Sequence, residues 1–349
     1  MRRWGRACLY ALALVTGACL AHVTSVPSAA PSTAHAATAP APPAEAAPVA
    51  GAIAQPSPQP GSDAPMEALP EPPAAPWTGL GEDYRDGKII TGSTPHRLIL
   101  FSFDDGPDRR TTPLLLDRLD AEGIKALFFL VAERLGDDTP RLRQQSSIAQ
   151  EIVRRGHLVG NHTVNHVQLP LLDTEAAMAE VLGAQRAFEQ TFGARPWLIR
   201  PPFGAHSQRI DQNLAARDYT IVLWNLGAGD HQVRSAQEVF DVWLKVMQRR
   251  EREEGDRGGI ILLHDTYAWS VDAFQRIVAH LRARNCELLE QGEELYDFVD
   301  DLSFFFEARE DASAEATAEP AMLAPGVLAE RQARLRELTA QHCRSIPTL

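Results

Sequence analysis

Between residues 88 and 302, short apolar runs alternate with stretches whose apolar positions recur at helical spacing. The runs 98–103, 126–131, 158–160, 197–199, 220–224, 260–263 and 286–289 are predicted strands. Helices are predicted between them over 112–122, 148–155, 174–192, 209–217, 236–252 and 271–284, with a last one over 293–302. Strand–helix alternation sustained in this way argues for an α/β fold on a parallel sheet, either a barrel or an open doubly wound sheet.

The flanks are different. Residues 27–76 hold 14 of the 25 prolines amid Ala, Ser and Gly, and no apolar period. Such a stretch cannot bury a core and reads as a spacer. Ahead of it, Arg2, Arg3 and Arg6 precede an apolar stretch over 7–21, the layout of an export leader. Cleavage after Ala21 or Ala36 fits the small-residue rule, and Thr16-Gly17-Ala18-Cys19 resembles a lipoprotein box. An exported location is expected, in periplasm, envelope or medium, with lipid or membrane attachment through this segment left open. The tail is Ala/Glu-rich, and 323–338 suits an amphipathic helix that docks back on the domain. The expected organisation is a leader over 1–36, a linker over 37–87, a catalytic domain over 88–306 and the tail over 307–349.

Charge and cysteines narrow the classes. A net charge of −12, from 46 acidic against 34 basic residues, argues against a nucleic-acid partner. Cys8, Cys19, Cys286 and Cys343 lie far apart without a CxxC pair, so neither a zinc ribbon nor a disulfide framework is indicated.

The chemistry gathers at strand ends. Asp104 and Asp105 close the first run, before Gly106-Pro107 turns the chain. Adjacent carboxylates repel unless a cation or proton holds them, which suits one acid on a metal and its neighbour on proton transfer. The same four residues are also good turn chemistry. His162 and His166 follow the third run, four apart, a spacing that puts both imidazoles on one face of a helical turn. Thr163 stands where a zinc protease would carry glutamate, so the base must come from elsewhere. Arg200 follows the fourth run and suits a carboxylate partner. Asp230 lies past the fifth, and His264 ends the sixth; together they suit an acid-supported general acid. In a barrel all these ends meet at one rim.

In this order the residues resemble the polysaccharide deacetylases, the NodB-homology domain of carbohydrate esterase family 4. Phe103-Asp104-Asp105-Gly106-Pro107, His162-Thr163-Val164-Asn165-His166, Arg200-Pro201-Pro202-Phe203-Gly204 and Leu262-Leu263-His264-Asp265 match the first, second, third and fifth motifs. The fourth departs: Gly227-Ala228-Gly229-Asp230-His231 keeps a carboxylate at Asp230, lacks one at Gly227, and has His231 in place of an aromatic. The resemblance implies a distorted (β/α) barrel of about seven parallel strands, acting as a monomer on N-acetylated polysaccharide or oligosaccharide. It implies a divalent ion on Asp105, His162 and His166, zinc ahead of cobalt or others. It implies Asp104 as base tethered by Arg200, and His264 as acid held by Asp230. Substrate would meet Pro202, Phe203, Leu262, Trp224 and His231. The implied reaction frees acetate from an N-acetyl group of peptidoglycan or a chitin-like polymer. An O-acetyl esterase and a glycan-binding pseudoenzyme are the competing readings.

Overall fold

The computed structural model describes residues 79–305 and 323–345. The expected leader and most of the expected linker lie outside the described residues. Residues 79–87, expected as linker, pack on the domain. Leu80 is buried, the carbonyl of Gly79 accepts from Val159 N, and that of Leu80 accepts from Trp197 N.

Among the described residues nine strands form one sheet: β1 (Ile89–Ile90), β2 (Leu98–Asp104), β3 (Ala126–Leu130), β4 (Leu158–Asn161), β5 (Leu198–Ile199), β6 (Thr220–Val222), β7 (Leu226–Gly227), β8 (Gly259–His264) and β9 (Asp297–Phe298). Their order is β1-β6-β5-β4-β3-β2-β8-β7, with β9 beside β2, and every pairing is parallel. Ile90 of β1 and Ile260 of β8 join one apolar cluster with Leu98, Leu100, Leu127, Phe129 and Val222. Residues from opposite ends of the strand order can share a core only if the sheet curls. The two edge strands, β1 and β7, do not pair among the described residues, so the barrel is incomplete. Near that seam Asn225 accepts from Ile260 N and donates to Gly258 O, and Asp256 accepts from Thr94 N.

Helices α1 (Thr111–Glu122), α2 (Pro140–Arg154), α3 (Thr174–Phe192), α4 (Gln208–Ala215), α5 (Ala236–Glu254) and α6 (Ala268–Gln291) connect the strands. Their ends follow local chemistry. Thr139, Asp173 and Ser235 accept a main-chain N–H at the starts of α2, α3 and α5, while left-handed Gly123, Gly193 and Gly292 stop α1, α3 and α6. The pleat of β2 sorts its side chains. Ile99, Phe101 and Phe103 enter the cluster shared with α1 and α6, whereas Leu98 and Leu100 enter the barrel interior. Ser102 and Asp104 continue the interior file by alternation, and both are buried.

Two expectations at the C-terminal end are corrected. Residues 286–289 are not a strand but the end of α6, because Ile277, Leu281, Asn285 and Leu288 bury one continuous helical stripe. Residues 293–302 are not a helix. After Gly292 halts α6, Asp297 N and Val299 N bond to Arg97 O and Ile99 O, forming β9, and Leu302–Phe305 makes a 3-10 turn. Short β1 and β7 lack enough residues to show a period.

The cysteine expectation is corrected as well: Cys286 and Cys343 form a disulfide across 57 residues of sequence. It fastens the tail helix α7 (Pro325–Ser345) to α6. Arg331 also pairs with Asp297, and Gln332 exchanges two hydrogen bonds with the backbone of Leu295. The tail helix thus docks on the domain.

Two outcomes follow. Closing a loop of this length limits the unfolded chain, so Cys343→Ser should lower stability by up to about 4 kcal/mol, read by urea unfolding. His157 is fully buried, accepts from Ala126 N at 3.2 Å, and is pushed down to about 4, first by burial and then by Lys125. Below the ordinary histidine range the unfolded chain binds a proton that the folded one refuses. Stability should therefore be full above pH ~6.5 and fall by roughly 3 kcal/mol as pH drops toward 4. Unfolding of His157→Asn at pH 7 and pH 4.5 should show most of that pH dependence gone; an unchanged slope would refute the assignment.

Candidate active site

Strand register sets the level of the site. Asp104 lies opposite both Phe129 and His264, and Asn161 lies opposite Leu130 and Ile199. The C-terminal ends of β2, β3, β4, β5 and β8 are therefore flush, and the residues just past them face one another.

Arg200, one residue past β5, enters the barrel interior with no exposed surface. Its Nη1 donates to Asp104 Oδ1 at 2.7 Å and to Ser102 Oγ at 2.9 Å. Nε and Nη2 donate to the carbonyls of Val222 and Leu223, and the guanidinium lies 4.2 Å from the ring centroid of Phe129. The Arg200 carbonyl accepts from His162 Nδ1 at 2.7 Å. A carbonyl only accepts, so that nitrogen carries the proton and Nε2 keeps its lone pair.

That lone pair points to Asp105. His162 Nε2 and His166 Nε2 lie 3.5 and 3.2 Å from Asp105 Oδ1, an oxygen that is buried without a hydrogen-bond partner. Ligand atoms of the three residues lie within 4.8 Å of one another. Two imidazole nitrogens and one carboxylate oxygen around an unsatisfied point fit a divalent ion. Burial pushes Asp105 up, but the His162 imidazole and the charges of His264 and His166 prevail and bring it down to about 2. Burial lowers His166, favouring the neutral ring a ligand needs.

The histidines do not share a helical turn, as their spacing suggested. They lie on a loop with left-handed backbone at Thr163 (φ 64°) and His166 (φ 54°). Asn161 and Glu180 hold that loop. Asn161 Oδ1 accepts from Thr163 N, while Glu180 accepts from Val164 N, Asn165 N and Asn165 Nδ2. Asp105 (φ 72°) and Phe203 (φ 62°) are also left-handed, so four of the five such non-glycine residues among the described residues lie here. Each costs roughly 1 kcal/mol and needs surrounding structure to hold it. Gly106 is obligatory for another reason, since a Cβ there would fall 2.2 Å from Asp265 Oδ2.

His264 faces this group from β8. Its Nδ1 lies 2.8 Å from Asp230 Oδ1, and its main-chain N–H donates to Asp230 Oδ2. Ser270 Oγ also donates to that oxygen, and Trp269 Nε1 donates to the Asp230 carbonyl. Burial opposes a charged ring, yet the hydrogen bond and charge of Asp230, with Asp104 and Asp105 beyond, raise His264 to about 9. Asp230, His231 and His264 also satisfy the spacing of a metal group. Two of its ligand atoms already bond each other, so it reads better as an acid–base pair.

The expected substrate contacts are dispersed around this centre. Phe203 is 60% exposed, with its ring 4.6 Å from that of His166. Pro202 and Leu262 are buried, and the Trp224 ring lies 5.4 Å from the Arg200 guanidinium. His231 is exposed, 5.9 Å from the His264 ring. Sequence reasoning passed over Ser102, Glu180, Tyr267 and Trp269. The last two stack at 4.9 Å, and Tyr267 lies 5.7 Å from the His264 ring. Aromatic residues two apart just after a motif histidine were the available signal. It also missed Asp265, which burial raises to about 7.

Comparison with known proteins bears on this geometry. The family model described as Polysaccharide deacetylase matches residues 91–222. That span holds the first three motifs, and Asp230 and His264 lie beyond it. The chain is 27% identical over 217 residues to a peptidoglycan-N-acetylglucosamine deacetylase of Bacillus cereus, covering 61% of this chain and 74% of that protein. It is 28% identical over 193 residues to the peptidoglycan-N-acetylmuramic acid deacetylase PdaC of Bacillus subtilis, covering 55% and 38%. The chain thus spans less than half of the second relative's length. In fold it resembles the chitin deacetylase of Colletotrichum lindemuthianum, with a TM-score of 0.50, 23% identity, and coverage of 57% and 87%.

Removing the guanidinium while leaving its acid buried should be severe. Arg200→Met strands Asp104 without a cation, and unfolding should show a loss of 3–5 kcal/mol, on the order expected for a broken buried pair. A loss under ~1 kcal/mol would mean the pair contributes little to holding the rim together.

Proposed function

We propose, for a chain that belongs to the polysaccharide deacetylase family, an exported metal-dependent hydrolase that removes N-acetyl groups from glycans, peptidoglycan ahead of chitin-like polymers. One observation carries this reading. Three metal-competent ligands, a carboxylate tied to a buried arginine, and a histidine charged by its own carboxylate meet at one rim. The relatives named above are peptidoglycan deacetylases by name, which supports the polymer.

Asp105, His162 and His166 would hold the ion, and two nitrogens with one oxygen suit zinc. When bound, it supplies Lewis-acid polarisation of the acetyl carbonyl and a more acidic water. The chain's own groups do the rest. Arg200 orients the Asp104 carboxylate through a 2.7 Å hydrogen bond, and Asp104 takes a proton from water as the water oxygen adds to the acetyl carbon. The main-chain N–H of Phe203, presented by the left-handed turn, is the donor for the resulting oxyanion. An amine cannot leave as an amide anion. His264, protonated at neutral pH and held by Asp230, gives the nitrogen its proton as the C–N bond breaks. The products are acetate and a free amino sugar. Buried Leu262, opposite Ser102, limits the space for the acetyl methyl.

Export draws support from the basic and apolar N-terminal layout and from the disulfide, a bond that persists in oxidising compartments.

The test is acetate release from chitotetraose and from peptidoglycan fragments. Release should stop with chelator and return with zinc, and Asp104→Asn should lower kcat by roughly 10³-fold, with the metal still bound. Release only from O-acetylated glycan would convert the reading to an esterase. No release from any acetylated glycan would refute catalysis.

A further inference from the structure

Two rings flank His264 among the described residues: Tyr267 at 5.7 Å and His231 at 5.9 Å, centre to centre. His231 is exposed and bonded to the side chain of Gln232. Tyr267 is built in more firmly. It is the residue before α6, its main-chain N–H donates to the His264 carbonyl, and its own carbonyl accepts from Ser270 N and Val271 N. The backbone that carries it is thus fixed to the strand end that carries His264.

Trp269 backs its side chain. The two rings lie 4.9 Å apart with 9° between their planes. Trp269 is held in turn by its indole N–H, which donates to the Asp230 carbonyl at 2.7 Å, and by the Arg234 guanidinium 5.1 Å from its ring centre. Arg234 itself donates to the carbonyls of His231 and Val233. So the Tyr267 ring is braced from both the fourth and the fifth motif, yet it keeps exposed surface. A large apolar ring already fixed in place needs no ordering when a ligand covers it.

The reaction says what lies beside that ring. His264 Nε2 is 3.9 Å from Asp105 Oδ2, so it faces the metal-competent residues. In the deacetylase reading this nitrogen protonates the departing amine, and a pyranose carries that amine. The sugar therefore lies on the His264 side, with the acetyl group toward Asp105, His162 and His166. Phe203, whose ring is 4.6 Å from that of His166, belongs to the other side. A β-linked glucosamine ring holds its substituents equatorial and presents axial C–H groups on its faces, an apolar surface that matches an aromatic ring.

We propose that Tyr267 is a sugar-binding residue whose ring, backed by Trp269, stacks on the pyranose that bears the departing amine, so that the site recognises the sugar ring as well as its acetyl group. This rests on the deacetylase reading for the orientation of the sugar, but its binding arm does not depend on turnover.

The test uses the zinc-loaded full chain and two probes: chitotetraose, and acetohydroxamate, which offers the metal an acetyl-like ligand without a sugar. In calorimetry Tyr267→Ala should weaken chitotetraose roughly tenfold, the loss expected when about 50 Å² of apolar surface is no longer covered. Tyr267→Phe should keep chitotetraose binding within twofold of native, and both variants should bind acetohydroxamate within twofold of native. Unchanged acetohydroxamate binding also reports that the variant is folded with its metal centre intact. In turnover the Tyr267→Ala loss should fall on KM rather than kcat. Equal weakening of both probes, a loss confined to kcat, failure of Tyr267→Phe to keep the glycan, or chitotetraose binding that is absent in the native chain or unchanged in Tyr267→Ala would each overturn the proposal. If glycan binding needs the Tyr267 ring while no acetate is released, the deacetylase reading falls and the sugar-binding role stands.

Discussion

One buried cation organises the rim. Arg200 has no surface exposure, yet its guanidinium reaches Asp104 and Ser102 on β2 and the carbonyls of Val222 and Leu223 at the end of β6. Its own carbonyl fixes the tautomer of His162 beyond β4. A charge placed in a core is tolerated only when its donors are matched, so each contact restrains the others. Strands far apart in sequence are held at a common level, and Asp104, the proposed base, and His162, a proposed metal ligand, are oriented by the same residue. Removing it would disturb fold and site together.

Around that anchor the loops that carry the proposed metal ligands include strained turns. Asp105, Thr163, His166 and Phe203 all adopt backbone that β-carbons disfavour, and neighbours hold them there: Asn161 and Glu180 under the histidine loop, Asp265 against Gly106. The acid end is built differently. Asp230 is fixed by His264, Ser270 and Trp269, which keeps its carboxylate aimed at one imidazole nitrogen. Trp269, from beyond the fifth motif, brings its indole N–H to the Asp230 carbonyl of the fourth motif. The altered fourth motif therefore does not leave Asp230 unsupported.

Much of this was legible in the chain. Strand ends carrying Asp104, His162, Arg200 and His264 could be read because apolar runs mark buried parallel strands and chemistry collects after them. The α6 region misled because Cys286 to Leu289 is a short apolar run, and only its phase with Leu281 shows a helix. Two-residue strands such as β1 and β7 have no period to find. The disulfide was illegible, since Cys343 meets Cys286 only after the tail helix docks through Arg331 and Gln332. Spacing placed the two histidines on a helix, whereas positive φ at Thr163 and His166 depends on tertiary support that no local pattern encodes.

The central claim is that Asp105, His162 and His166 form one cation site served by the Asp104–Arg200 and His264–Asp230 pairs. Anomalous diffraction at the zinc edge, from crystals grown with one equivalent of zinc, tests it most directly. The account predicts a single strong peak bonded to Asp105 Oδ1, His162 Nε2 and His166 Nε2. A peak on Asp230, His231 and His264 instead, or none within bonding distance of the first three, would contradict it.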